Sequence, residues 1–170
     1  MKIWFTSDTH FGSKRTLDLS KRPFKTVKEM DKALINNWNK NIAKNDIVFH
    51  LGDFGNYEID DLRQNYKKVT EFKQKMINTG FYKVSIFRES LKIGREIYYL
   101  HHKPSDALKY KKLYGAKQLF GHIHKLQMIK PYGLNVGIDC HNFTPIDLDM
   151  VNFYLNAIEN HYDEEVFLFY

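Results

Sequence analysis

Asp8 and His10 stand two residues apart, Asp53 follows alone, His102 comes next, and His122 and His124 again stand two apart, with Asn56 close behind Asp53 as a possible seventh member. Carboxylate oxygens and neutral imidazole nitrogens are the donors that Mn²⁺, Fe²⁺, Co²⁺, Ni²⁺ and Zn²⁺ accept. In extended backbone, residues i and i+2 point to the same side, so Asp-x-His and His-x-His can each turn two donors toward one cation. A thiolate structural zinc site needs several cysteines, and the chain has only Cys140. Two divalent cations about 3.5–4 Å apart can activate water and stabilise both the attacking and the leaving oxygen of a phosphate ester. Metal-assisted cleavage of a phosphate ester is the chemistry this donor set suits. Either dipeptide alone is common by chance; the ordered set carries the reading.

Each donor cluster follows an apolar run. Residues 2–7 (KIWFTS) read as a buried strand ending at Asp8, and residues 46–51 (DIVFHL) as a second ending at Gly52 and Asp53. Residues 96–100 lead into His101 and His102, and residues 117–120 into Gly121, His122, Ile123 and His124. Ligands of α/β folds gather beyond the carboxyl ends of strands, where loops from distant segments converge. Between the strands, Val27, Met30, Leu34, Ile35 and Trp38 have the spacing of an amphipathic helix over residues 26–40, with Thr26 and Glu29 as its capping box. Residues 61–78 predict a second helix closed by Thr79 and Gly80, and residues 105–114 a short third. Residues 81–87 and 91–93 predict strands, with a hairpin turn over residues 93–96; residues 130–139 and 166–170 are further strand candidates. The alternation predicts an α/β fold in one domain over residues 1–170, without long linker or repeat.

A chain of 170 residues can bury a sufficient core without disulfides. The lone cysteine, together with the lack of a secretory pattern, points to the cytoplasm, and no apolar run approaches the roughly 18 residues of a membrane span. A net charge of +6 and a pI near 9.2 favour anionic partners: a phosphorylated small molecule, a nucleotide or nucleic acid. Arg22, with Lys14 and Arg15 nearby, could offer a guanidinium to a phosphate oxygen, or lie in a solvated basic loop. Phe11, Phe54 and Tyr57 could stack a base or belong to the core. His50 reads as a hydrogen-bonded core imidazole, and His141 and His161 as surface or structural residues.

With these motifs the chain resembles the calcineurin-like metallophosphoesterase superfamily, and within it the small bacterial and phage enzymes that begin with Ser-Asp-x-His-Phe-Gly. The resemblance runs over nearly the whole chain. Ser7–Asp8–Thr9–His10 is similar to the first family motif, which implies that Asp8 and His10 bind the first metal. Leu51–Gly52–Asp53 is similar to the second and implies that Asp53 bridges both metals. Leu100 to Pro104 resembles Leu-x-His-x-Pro and selects His102 for the second metal; Gly121–His122–Ile123–His124 implies that His122 binds the second metal and His124 the first. The resemblance further implies two packed mixed β-sheets flanked by helices in a four-layer sandwich, two divalent ions with Mn²⁺ foremost, and attack on phosphorus by a metal-bridging hydroxide.

One family motif departs. Gly-Asn-His normally follows the bridging Asp by some two dozen residues, its Asn binding the second metal and its His assisting the leaving group. Here the nearest string is Gly55–Asn56–Tyr57–Glu58, directly after Asp53. A deletion, an omitted segment, or recruitment of Asn56 as metal or substrate ligand all stay open. His101 is then the candidate general acid, since Tyr57 ionises too high for that task near neutral pH. A phosphoesterase acting on a nucleotide-type monoester or diester is the expectation. A metal-poor binding module of the same fold, or a nuclease or nucleic-acid-binding protein, are the alternatives.

Overall fold

The computed structural model describes residues 1–55, 83, 85, 89–114, 117–163 and 166. In chain order its elements are β1 (Ile3–Thr6), α1 (Lys14–Leu19), α2 (Val27–Asn41), β2 (Ile47–His50), β3 (Glu89–Ile93), β4 (Glu96–Leu100), α3 (Pro104–Tyr114) and β5 (Lys117–Phe120). A 3-10 turn (His124–Leu126), β6 (Ile129–Lys130), β7 (Gly133–Asn135), a second 3-10 turn (Ile138–Cys140), β8 (Ile146–Asp147) and α4 (Leu148–Asn160) follow.

The strands form two mixed sheets flanked by helices, the α/β class that the sequence predicts. One sheet has the order β2-β1-β8 and the other β3-β4-β5-β7-β6. β1 lies parallel to β2, with Phe5 beside Phe49 and Thr6 beside His50, while β8 runs antiparallel to it. In the larger sheet β4, β5 and β7 are parallel, so their carboxyl ends share one edge. A parallel bridge between Ser7 and Gly137 joins the two sheets at that edge.

The sheets face each other across a shared core. Phe5 from β1 stacks on Phe49 at 5.6 Å and leans on Tyr98 of the other sheet at 6.3 Å. Leu100, Leu119 and Leu134 from the larger sheet, and Val151 and Leu155 from α4, join the same cluster. Each such side chain contributes roughly 1.5–3 kcal/mol when fully buried. A second cluster of Leu17, Met30, Leu34 and Ile138 ties α1 and α2 to the second 3-10 turn.

The local signals act as chemistry requires. Thr26 caps α2 by accepting the Glu29 N–H at 3.1 Å, and Glu29 answers by accepting from Lys25 at 3.0 Å, one residue earlier than a capping box would have it. The β3–β4 hairpin turns at Gly94, whose φ of 59° suits the first position of a two-residue loop. The expected strand over residues 130–139 is instead broken into β6, β7 and a 3-10 turn. α4, which no expectation covered, is capped by Asp147, whose carboxylate accepts the Met150 N–H at 3.0 Å. The expected helix over residues 61–78 lies outside the described residues, as do the strands over 81–87 and 166–170 except for Lys83, Ser85 and Val166. No helix among the described residues is long and apolar enough to cross a membrane.

Candidate metal centre

Beyond the carboxyl ends of β1 and β2 the chain keeps pairing. Asp8 N–H donates to Gly52 O at 3.0 Å, His10 to Asp53 O at 2.9 Å and Phe11 to Phe54 O at 2.9 Å. At the larger sheet, Gly121 N–H donates to His102 O at 3.0 Å. The loops are therefore rigid extensions of the strands, and they bring together residues from four parts of the sequence. Asp8, His10 and His124 form one group and Asp53, His102 and His122 another; within each, the potential ligand atoms lie within 4.8 Å of one another.

Asp53 stands between the groups. Its Oδ2 lies 3.3 Å from His10 Nε2 and 3.4 Å from His102 Nε2. Burial pushes the Asp53 carboxyl up, yet the imidazoles of His10 and His102 outweigh it and hold the group well below the usual carboxylate range. His102 feels the reverse: burial lowers its pKa, but the adjacent Asp53 raises it further. His102 Nδ1 donates to the Leu51 carbonyl at 3.1 Å, which directs Nε2 toward Asp53 and to 3.3 Å from His122 Nδ1. His122 itself is pushed down by burial and by the charges of His102 and Lys103. The His10 and His124 rings stack at 5.2 Å.

The residues fit divalent cations by one independent sign. His10 Nε2 is a buried nitrogen that makes no hydrogen bond of good geometry, its contact with Asp53 Oδ2 at 3.3 Å being electrostatic, and it is one of two such side-chain atoms among the described residues. Leaving a buried polar atom unsatisfied costs about 1–3 kcal/mol, a cost that ligation removes. Three nitrogens and oxygens per group, with no thiol, match borderline divalent metals.

Backbone strain is concentrated in the same place. Asp8, His10, Asp53, His122 and His124 all have φ between 49° and 73°, five of the eight non-glycine residues with positive φ among those described. Asp and His tolerate this region better than most residues, but five together are held there by their surroundings. The neighbouring glycines are fixed by contact. A Cβ on Gly121 would collide with Ser7 Oγ and the Asp8 carboxylate, and one on Gly52 would come within 2.6 Å of His102 Nδ1.

The fully buried Asp8 accepts the His122 N–H at 3.0 and 2.9 Å and the Ser7 hydroxyl. His50 is the core imidazole expected of it. Gly52 N–H donates to its Nδ1 at 3.3 Å, so its Nε2–H donates to Thr9 Oγ1 at 2.9 Å, and Thr9 donates to Phe54 O at 2.7 Å. Burial, aided by the charge of His102, pushes His50 down to about 3.

Two expectations need correction. Arg22 does not offer its guanidinium to a phosphate: its side chain is 0% exposed and bound to Asp139, Asp8 O and Thr9 O beneath the site. His101 is not placed as a general acid, because alternation along extended backbone sends it opposite to His102, where it is buried with Nε2 against Gln118 Oε1 at 2.8 Å. Asn56 lies outside the described residues, as does Tyr57. Asp139 was missed. It holds His124 Nδ1 at 2.8 Å, and although burial pushes its carboxyl up, His124 and Arg22 keep it below its ordinary value. Just before it in sequence, the buried Asn135 donates to His124 O at 2.8 Å and Gln127 O at 3.0 Å, steering the His122–His124 loop.

No protein-family model matches the chain. The fold is similar to that of the protein of unknown function AQ665 from Aquifex aeolicus, with a TM-score of 0.66 and 17% identity over 90% of this chain and 98% of that one. That likeness is one of fold alone. A conserved uncharacterized protein of Streptococcus pneumoniae, described as a predicted phosphoesterase, aligns with a TM-score of only 0.39 at 16% identity, over 80% of this chain and 70% of that one, too slight to bear on activity. Uncharacterized protein MJ1445 of Methanocaldococcus jannaschii is 30% identical over 173 residues, spanning 88% of this chain and 89% of its relative. The chain belongs to the same family as MJ1445.

Proposed function

We propose that this chain is a metal-dependent phosphoesterase of the calcineurin-like type, a single domain that hydrolyses a phosphate ester of nucleotide type. The observation that carries the reading is the convergence of two Asp/His donor groups on Asp53, with five of their six residues in left-handed backbone. Folds bear strain of this kind where a site requires it. Asp8, His10 and His124 would hold one ion, His102 and His122 the other, and Asp53 would reach both. Mn²⁺ is the foremost candidate, with Fe, Zn, Co or Ni as alternatives. Such ions, when bound, supply Lewis acidity toward a phosphoryl oxygen and make water a nucleophile near neutral pH.

The chain's own residues supply charge and geometry. Asp53 is ionised across the physiological range and anchors the space between the groups. The net charge of +6 draws phosphate esters toward the surface. With His101 buried against Gln118, no described residue is assigned to protonate the leaving group. Esters with acidic leaving groups are therefore the preferred substrates.

The test is metal analysis together with hydrolysis of bis(p-nitrophenyl) phosphate by chelator-treated protein. Mn²⁺ should restore turnover, and Asp53→Asn should reduce it below about a tenth while the fold persists. Turnover indifferent to chelation, or an Asp53→Asn protein above that level, would defeat the proposal. The turned-away His101 favours a second reading, a metal-binding domain with little turnover. Bound metal without hydrolysis of any activated ester would select it.

A further inference from the structure

Beneath the candidate metal centre lies a buried ion pair whose members touch both loops of one donor group. Arg22 Nε and Nη2 donate to Asp139 Oδ1 and Oδ2, each at 2.8 Å, with the two side chains 0% and 1% exposed. The remaining guanidinium donors reach Asp8 O at 2.6 Å and Thr9 O at 2.9 Å, and Met30 Sδ at 3.4 Å. Phe143 lies against the guanidinium carbon at 5.9 Å. Asp139 Oδ2 also accepts from His124 Nδ1 at 2.8 Å.

An ion pair this dry is a poor source of stability, because desolvating both charges offsets most of their attraction. The fold nevertheless meets that cost and adds more. Lys21, Asn142 and Phe143, which flank the pair in sequence, are the three non-glycine positive-φ residues outside the donor set among those described. An apolar pair could fill the same volume, but only a carboxylate accepts a guanidinium and an imidazole N–H together. That double acceptance decides which nitrogen His124 presents: with Nδ1–H donating to Asp139, Nε2 carries the lone pair.

We propose that Arg22 and Asp139 are positioning residues for the group Asp8, His10 and His124. Asp139 sets the tautomer and ring angle of His124, and Arg22 locks Asp139 to the backbone of the loop that carries Asp8 and His10. The inference rests on the metal reading proposed above. Carboxylates placed behind a ligating histidine tune its basicity and orientation, and removing one typically costs about 10–100-fold in metal affinity.

Metal-free protein is titrated with Mn²⁺ in a His122→Ala background, which disables the other group, with and without Asp139→Asn. The expected result is affinity weaker by about 10–100-fold in the Asp139→Asn protein, whereas in the His124→Ala background the same substitution should leave the remaining site within about twofold. Side-chain ¹⁵N NMR of metal-free wild-type protein should show His124 protonated at Nδ1, and this measurement stands even if Asp139→Asn fails to fold. An Nε2–H tautomer in the wild type, or unchanged affinity in the Asp139→Asn protein, overturns the positioning role. Wild-type protein that binds none of Mn²⁺, Fe²⁺, Co²⁺, Ni²⁺ and Zn²⁺ instead defeats the phosphoesterase proposal, and the tautomer then still decides the positioning role.

Discussion

His50 shows how much a single side chain settles beneath the centre. Its two nitrogens are committed in opposite senses, one accepting from Gly52 and one donating to Thr9, so only the neutral ring satisfies the loops after β1 and β2. Its pKa in the fold is about 3 against 6.5 ordinarily. Between those values the unfolded chain binds a proton that the folded chain refuses, so stability rises with pH. The contribution is complete above 6.5 and is lost as pH falls toward 3. Thermal melting of the metal-free protein between pH 6.5 and about 4.5, above the carboxylate range, should show a shallower slope for His50→Gln than for wild type. Parallel slopes would mean that His50 is charged in the fold. At the same scale, Gly121→Ala drives a methyl group into Ser7 and Asp8. It should lower stability by about 1–3 kcal/mol, as overpacking does, and abolish metal binding by displacing Asp8. Denaturant unfolding and a Mn²⁺ titration of the variant check both.

At the scale of elements, legibility follows from how local the determining physics is. β1 and β2 were visible because β-branched and aromatic runs declare a strand, although β2 is only half-buried and its Ile47 is exposed; β5 was visible from Leu119 and Phe120 running into the Gly-His-x-His loop. α2 was visible because its apolar spacing persists for fifteen residues. α1 and the two-residue strands β6 and β8 are too short to show a period. α4 escaped because Val151, Phe153 and Tyr154 favour strands while Asn152, Asn156 and Asn160 favour turns; packing of Val151 and Leu155 on the sheets overrides both. Its start depends on the Asp147 cap, so Asp147→Ala should cost roughly 1 kcal/mol, read as a lower urea midpoint at unchanged m-value. No change would mean that packing alone fixes the helix end. The donors were legible because each follows a strand. Arg22 and Asp139 were not, since their roles arise from contacts across 117 residues that no spacing expresses.

For the whole molecule, the two donor groups are unequal. One, Asp8, His10 and His124, has Asp53 Oδ2 3.3 Å from its His10 and is backed by buried hydrogen bonds; the other has Asp53, His102 and a more exposed His122. A proton favoured on His102 by Asp53 must also leave before that group can bind an ion. Mn²⁺ titration should therefore resolve one tighter and one weaker site, with the weaker losing further affinity as pH falls. Each ion should raise the melting temperature by mass action, with about 2.7 kcal/mol gained at a hundredfold excess over its Kd. Asn56→Ala decides what completes the weaker site. A selective loss there means that Asn56 supplies a further ligand to that group. Two equally tight sites, indifferent to Asn56→Ala, would show that another donor completes the second group and that its poverty in ligands is only apparent.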